Sequence, residues 1–233
     1  MNQGLVILPT YNEKENIAKV VKEILAQNSG LDILVVDDNS PDGTGQLVED
    51  LRKSWPQIFI LYREQKQGLG KAYIAGFKWA LAKGYDYIFE MDADFSHQPK
   101  YLKNFLAAIK DNDLLLGSRY VKGGGVKGRG LWRQLISCLG CFYAKIILGL
   151  KIQDLTSGFK CFRRRVLEAI DLDKVESNGY MFQIEMIYKT VKRGFKIKEM
   201  PIVFIERKQG KSKFNKKIVW EAVFNCWKLK LKA

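Results

Sequence analysis

Through its first 120 residues the chain alternates short apolar runs with longer stretches whose apolar residues recur at helical spacing. Residues 4–9, 32–37, 58–61, 87–92 and 114–117 read as strands. Between them, residues 13–27 carry Ile17, Val20, Val21, Ile24 and Leu25 on one helical face, and further helices are expected from the Pro41-Asp42-Gly43-Thr44 turn to about Lys53, over 70–83 and over 99–110. Strands and helices in strict alternation predict a mostly parallel sheet with helices on both faces. In such an open sheet, ligands sit outside the carboxyl ends of the strands.

One strand end stands out. The run Tyr87-Ile88-Phe89-Glu90-Met91 reads as a buried strand with a single awkward acid, Glu90, and it stops at Asp92-Ala93-Asp94. Taken alone, a D-x-D pair is more often a solvated turn than a site. At a strand end, however, it can hold a hard divalent cation against a diphosphate, leaving coordination positions open for phosphate and water. Three other strand ends reach the same edge with Pro9-Thr10-Tyr11-Asn12-Glu13, Asp37-Asp38-Asn39-Ser40 and Gly117-Ser118-Arg119. There Tyr11 can stack on a base, Asp38 can bind a ring N–H or a ribose hydroxyl, and Asp94 can hold the metal. Asp38 alone would serve equally as a turn cap. The whole set describes a nucleotide-diphosphate site better than a structural one.

Charge separates the halves of the 233-residue chain. Residues 1–112 carry a net charge of −2 and residues 113–233 a net +16, which calls for an anionic partner: nucleic acid, phosphate groups or an anionic membrane. An apolar fraction of 47% with 27% charged residues is that of a folded chain, and no run of 18 apolar residues is available to cross a bilayer. With Leu5-Val6-Ile7-Leu8 following directly on the first residues and no signal peptide legible, a cytoplasmic location is expected. Cys138, Cys141, Cys161 and Cys226 fit a reducing compartment. The Cys138-x-x-Cys141 spacing lacks the second pair or histidine of a zinc site.

After Tyr120 a glycine-rich basic loop (122–128) leads to an amphipathic helix over 129–150. Its stripe is Trp132, Leu135, Ile136, Leu139, Phe142, Tyr143, Ile146 and Ile147. Strand and turn chemistry follows over 152–163, a helix over 180–193, a strand-like run over 197–205, and a lysine- and tryptophan-bearing helix over 215–231. No repeat or long linker divides the chain, so a single domain of residues 1–233 is expected. Gly68-Leu69-Gly70-Lys71 lacks P-loop spacing and reads as a turn opening a helix. His97, the sole histidine, reads as structural, and Arg163-Arg164-Arg165 as a solvated helix start.

The runs Val6–Glu13, Val36–Thr44, Met91–His97 and Gly117–Tyr120 resemble those of inverting family-2 glycosyltransferases of GT-A fold, and among these the dolichol-phosphate (polyprenol-phosphate) mannosyltransferases. Asp154–Phe159, Gly179–Met186 and Arg207…Gly210-Lys211-Ser212-Lys213 extend the resemblance over nearly the whole chain. The resemblance implies inverting transfer of mannose from GDP-mannose to a dolichyl or polyprenyl monophosphate. Residues 1–120 would form the nucleotide-sugar half, and 121–233 the acceptor-binding and membrane-interface half. By matching motifs, Pro9, Tyr11, Glu13, Val36 and Asp38 would hold guanosine, and Asp92, Ala93 and Asp94 the diphosphate and a Mg²⁺ or Mn²⁺ ion. Arg119, Arg207 and Lys213 would face donor or acceptor phosphates, with Arg133 and Ser137 seating the acceptor phosphate; Asp94 and Arg119 would carry most of the catalysis. Ser96 stands where some members have a metal-ligating Gln and is a weaker ligand.

On this reading the basic half holds two phosphate-bearing reactants, a task suited to arginine forks. A phosphate nucleophile is ionised at neutral pH, so Glu185 would act as a base only toward a hydroxyl acceptor; otherwise it is a buried structural acid. Core packing is the default for amphipathic helices. Tryptophan and lysine flanks and a lipid acceptor instead favour C-terminal amphipathic helices lying in the membrane interface. The protein is thus expected to be peripheral on the cytoplasmic face of a membrane, with small membrane-anchoring subunits among its candidate partners. A polyprenyl-phosphate glucosyltransferase is the nearest alternative. A basic nucleic-acid-binding α/β protein is the alternative of another class, disfavoured because the strand-end carboxylates repel phosphate unless a metal intervenes.

Overall fold

The strands and helices form around the expected alternation, in a computed structural model that describes residues 3–128, 130–206 and 216–231. Strands β1 (Gly4–Thr10), β2 (Leu31–Asp37), β3 (Ile58–Tyr62), β4 (Tyr87–Glu90) and β5 (Leu114–Ser118) are separated by helices α1 (Lys14–Ala26), α2 (Thr44–Ser54), α3 (Leu69–Lys83) and α4 (Leu102–Ala108). Then follow β6 (Gly125–Lys127), α5 (Leu131–Leu148), β7 (Lys160–Arg163), α6 (Arg164–Ala169), α7 (Gly179–Lys192), β8 (Ile197–Pro201), β9 (Val203–Ile205) and α8 (Lys216–Leu231). Seven strands make one sheet in the order β3-β2-β1-β4-β7-β5-β8, parallel except for β7. Burial follows the pleat: Leu5 and Ile7 join the core on one face and Val6 and Leu8 that on the other.

Because β1 lies between β2 and β4, the chain reverses direction of travel there, opening a crevice at the carboxyl ends of these strands. Asn12, Asn39 and Phe95, one in each loop leaving this edge, have left-handed backbones with φ of 60°, 57° and 62°. Asparagine tolerates that region through local hydrogen bonding, whereas for Phe95 it is a strained conformation.

Several sequence expectations need correction. The run 197–205 is two strands in two sheets: β8 pairs with β5, while β9 pairs with β6 in a two-stranded ribbon. The buried Ile202 makes the break, its N–H bonding the Ser118 carbonyl at 3.0 Å. The segment 99–110 is a short α4 flanked by 3₁₀ turns rather than one helix. The arginines at the end of β7 and the start of α6 are not simply solvated: Arg163 bonds the Ile109 carbonyl and Arg165 pairs with buried Asp113, tying this turn to the segment that leads into β5. Cys138 and Cys141 are free thiols, as are Cys161 and Cys226.

Much of the amphipathic stripe on α5 is exposed, while its Tyr143 and Ile147 pack against the core. Trp132 (75% exposed), Leu135, Leu139, Phe142 (61%) and Ile146 form one outward row, while Cys141, Ala144 and Leu148 face the core. Helix α8 packs on α5, Trp227 donating to the Tyr143 hydroxyl at 3.0 Å, and adds exposed Phe224 and Leu231. No helix among the described residues is long and apolar enough to cross a membrane.

Candidate active site

The loop after β1 is fastened to the loop after β2. Thr10 donates its hydroxyl to Asp37 Oδ1 (2.8 Å), as does Ser40 (2.6 Å), whose Oγ in turn accepts the Asn12 N–H (3.0 Å). The Thr44 hydroxyl accepts the Glu13 N–H and donates to Asp42. Tyr11 and Glu13 are thereby held at the crevice mouth, with the Lys66 ammonium 3.7 Å from the centre of the Tyr11 ring. Pro9 is half-buried at the end of β1. Val36 is fully buried, its side chain in the core below the crevice, so only its main chain is available to a ligand.

Asp38 is paired with Arg63 at 2.6 Å, and both are largely buried. Burial raises the Asp38 pKa and Arg63 offsets part of the rise. Arg63 went unnoticed in the sequence because its relevance depends on the sheet: β2 and β3 register Asp37 against Tyr62, which sets Arg63 beside Asp38.

At the end of β4, Asp92 accepts the Tyr73 hydroxyl at 3.3 Å, and its main-chain N–H donates to His97 Nδ1 at 3.2 Å. Burial, then the neighbouring Asp94 charge, pushes the Asp92 carboxyl up to about 7, although its side chain is still 31% exposed at the crevice floor. His97 is buried between Phe159 and Phe204, and burial lowers its pKa to about 4. A neutral ring that accepts a main-chain N–H is structural, as expected. Asp94 Oδ1 accepts the Ser96 N–H at 3.0 Å. The Ser96 hydroxyl is buried without a hydrogen-bond partner among the described residues. Ala93 is buried beneath the pair.

Two crowded carboxylates beside an unsatisfied hydroxyl suit a divalent cation, which would relieve both the repulsion and the orphaned oxygen. No cluster of three or more His, Cys, Asp or Glu groups is arranged to hold one among the described residues. A cation here would therefore need further oxygens from a ligand such as a diphosphate.

Arg119 is not free at the edge. Its guanidinium bonds Asp154 through Nε (2.7 Å) and Nη2 (2.6 Å) and Thr156 Oγ1 (2.7 Å), and its N–H adds a further bond to Asp154. Burial opposes its charge, but the Asp154 bonds outweigh it and hold the pKa above the ordinary arginine value. Asp154, Thr156 and Gln183 stand in runs that carried the resemblance but had no role assigned there, and Lys160 was not singled out; Asp154 braces Arg119, and Lys160 donates to Gln183. Next to Arg119, Tyr120 donates its hydroxyl to Ser137 on α5 at 3.0 Å. This links the crevice to the helix with the exposed apolar row. The Arg133 side chain, Arg207 and Lys213 lie outside the described residues. Glu185 faces elsewhere, accepting the Ser177 N–H and pairing with Lys189. The turn at Gly68, with φ 98°, opens α3.

An open α/β sheet with acids and arginines gathered at its topological switch has the architecture of a nucleotide-binding enzyme. A family model, glycosyl transferase family 2, matches residues 5–171, and the chain belongs to that family. It is 46% identical over 221 residues to an undecaprenyl-phosphate mannosyltransferase of Micrococcus luteus, covering 95% of this chain and 91% of the relative. It is 45% identical over 222 residues to a polyprenol monophosphomannose synthase of Mycolicibacterium smegmatis, covering 94% and 84%. Among solved structures it resembles glucosyl-3-phosphoglycerate synthase of Mycobacterium tuberculosis, bound to Mn²⁺, UDP and glucosyl-3-phosphoglycerate (TM-score 0.69, 18% identity, 99% and 79% covered). It also resembles a mannosyltransferase of Pyrobaculum calidifontis bound to GDP-mannose and Mn²⁺ (TM-score 0.62, 16% identity, 99% and 73% covered). The fold is GT-A, and the protein is a glycosyltransferase.

Proposed function

We propose that the protein transfers mannose from GDP-mannose to a polyprenyl monophosphate, with inversion, at the cytoplasmic face of a membrane. The observation that carries this reading is identity of 45–46% along nearly the full chain to two enzymes named for polyprenyl-phosphate mannose synthesis. Tyr11, Glu13, Pro9 and the Arg63-braced Asp38 would seat the guanosine. Asp92 and Asp94, with Ser96 as an auxiliary oxygen, would hold a Mg²⁺ or Mn²⁺ ion at the diphosphate. When bound, such an ion supplies positive charge to the departing GDP.

The remaining work is positioning. A lipid phosphate is already ionised and needs no general base, in keeping with Glu185 being committed to Ser177 and Lys189. Ser137 and Arg133 on α5, with Arg207 and Lys213, would hold phosphate. Arg119, locked to Asp154, would contribute a fixed charge near the crevice rather than a mobile clamp. The assay is direct: purified protein, polyprenyl phosphate, and GDP-mannose or UDP-glucose, with divalent metal or with chelator. Mannosyl transfer that stops on chelation is expected; metal-independent transfer, or preference for the uridine donor, would overturn the assignment.

The exposed row on α5 and the Phe224 and Leu231 faces of α8 suit the headgroup boundary of an anionic leaflet. Lysines on α8 there add about 1 kcal/mol each. Trp132→Ser with Phe142→Ser is expected to release the protein from phosphatidylserine-containing vesicles while leaving GDP affinity unchanged in calorimetry. Unaltered vesicle binding would assign this row to another contact.

A further inference from the structure

The loop that follows β3 reaches the nucleotide end of the crevice and is fastened to the end of β2. The Arg63 N–H bonds the Asp37 carbonyl (2.8 Å), and the Asn39 side chain donates to the Glu64 carbonyl (3.1 Å). The Arg63 guanidinium bridges Asp38 and Gln67. The backbone on either side of Lys66 is therefore held, while the Lys66 side chain is exposed and can swing. Its ammonium lies 3.7 Å from the centre of the Tyr11 ring, which is itself 36% exposed. The same ammonium acts on Asp38: burial raises that carboxyl, and Arg63 and, more weakly, Lys66 oppose the rise. Lys66 thus covers Tyr11 on the side that looks toward Asp38, where a base bonded to Asp38 would stack.

A stacked base and an ammonium cannot share that space, so magnitudes decide the outcome. A cation over an exposed aromatic ring contributes about 0.5–1 kcal/mol, whereas a base stacked on such a ring contributes about 1–3 kcal/mol. The base wins, and Lys66 yields the ring face. Its fastened loop keeps the displaced ammonium at the rim of the base, beside Asp38. The two groups there are complementary, since an ammonium only donates and an ionised carboxylate only accepts. Asp38 Oδ1 is taken by Arg63, leaving Oδ2 to accept from a ring N–H. Lys66 is left to meet the ring acceptors. Guanine offers two adjacent ones, O6 and N7, and lysine is among the side chains that read that pair. Uracil has no counterpart of N7.

We propose that Lys66 donates to the O6/N7 edge of a guanine seated on Tyr11, and so contributes to the selection of a guanosine over a uridine donor. The inference deepens the reading above and rests on it, in that a guanosine diphosphate sugar occupies this end of the crevice.

The test is a titration of three proteins against three nucleotides. Wild type, Lys66→Met and Lys66→Arg are each followed by calorimetry with GDP, 7-deaza-GDP and UDP at fixed Mn²⁺. Lys66→Met keeps the apolar stem and, as an exposed change, should melt with wild type. It is expected to lose about 10-fold in GDP affinity, less with 7-deaza-GDP, which keeps O6 alone, and least with UDP. Lys66→Arg should retain the guanine preference. In transfer assays the loss in Lys66→Met should appear in the donor KM and not in the acceptor KM. Equal weakening with all three nucleotides would overturn the proposal and place the ammonium on the diphosphate. Equal tightening would overturn it as well, leaving Lys66 as a mere competitor for the ring. If wild type itself prefers UDP, the guanosine reading fails at the first titration. If wild type prefers GDP and Lys66→Met keeps the whole of that preference, the Lys66 proposal fails alone.

Discussion

Asp94→Ala is expected to reduce mannosyl transfer by roughly 10³-fold, the scale on which loss of one preorganised electrostatic group slows a reaction. Asp94 is half-buried at the crevice, where it accepts the Ser96 N–H of its own loop. Loss of that bond costs about 1 kcal/mol, so the fold should persist. The Asp94 charge also raises the neighbouring Asp92 carboxyl, second only to burial, and removing it relieves that repulsion. The variant should therefore melt close to wild type while metal-dependent GDP binding in calorimetry weakens sharply. Transfer within a few-fold of wild type would remove Asp94 from the catalytic assignment.

The second large effect falls on a residue that touches no proposed ligand. Asp154→Ala should destabilise the protein by about 3–5 kcal/mol, because breaking a buried pair leaves its partner's charge uncompensated. Asp154 is wholly buried and accepts three bonds from Arg119, which is itself 6% exposed. In a domain of this size the loss corresponds to a drop of about 10 °C in melting temperature. Transfer should fall as well, since Arg119 would no longer be held beside Tyr120 and Ser137. Asp154→Asn keeps an acceptor but not the charge and should fall between the two. A melting temperature unchanged in Asp154→Ala would show that Arg119 finds another counter-charge.

The strand ends were legible because period and punctuation coincide there. Apolar runs of strand length stop at Thr10, Asp37 and Asp92, and turn residues or caps follow at once. Parallel β–α alternation then sends those ends to one edge, whatever the finer packing. Helix α5 was legible as amphipathic, but periodicity cannot say what its apolar face meets: Trp132, Leu135, Leu139, Phe142 and Ile146 prove to be open, whereas Tyr143 and Ile147 of the same stripe pack on the core. Residues 197–205 misled because a continuous β-type pattern carries no mark of which sheet receives it.

Glu90 shows the division most clearly. The sequence by itself determined that an acid sits inside a buried strand, and that the strand delivers Asp92 and Asp94 to the ligand edge. It could not say what makes such an acid tolerable. Only the tertiary structure places β7 antiparallel between β4 and β5, registering Lys160 directly against Glu90 from 70 residues away. The same holds for Arg63 beside Asp38 and Asp154 around Arg119. Period and turn chemistry act over a few neighbouring residues and can be read along the chain. Charge compensation in a desolvated interior depends on distances of about 3 Å between segments remote in sequence, and those are settled when the sheet closes its register.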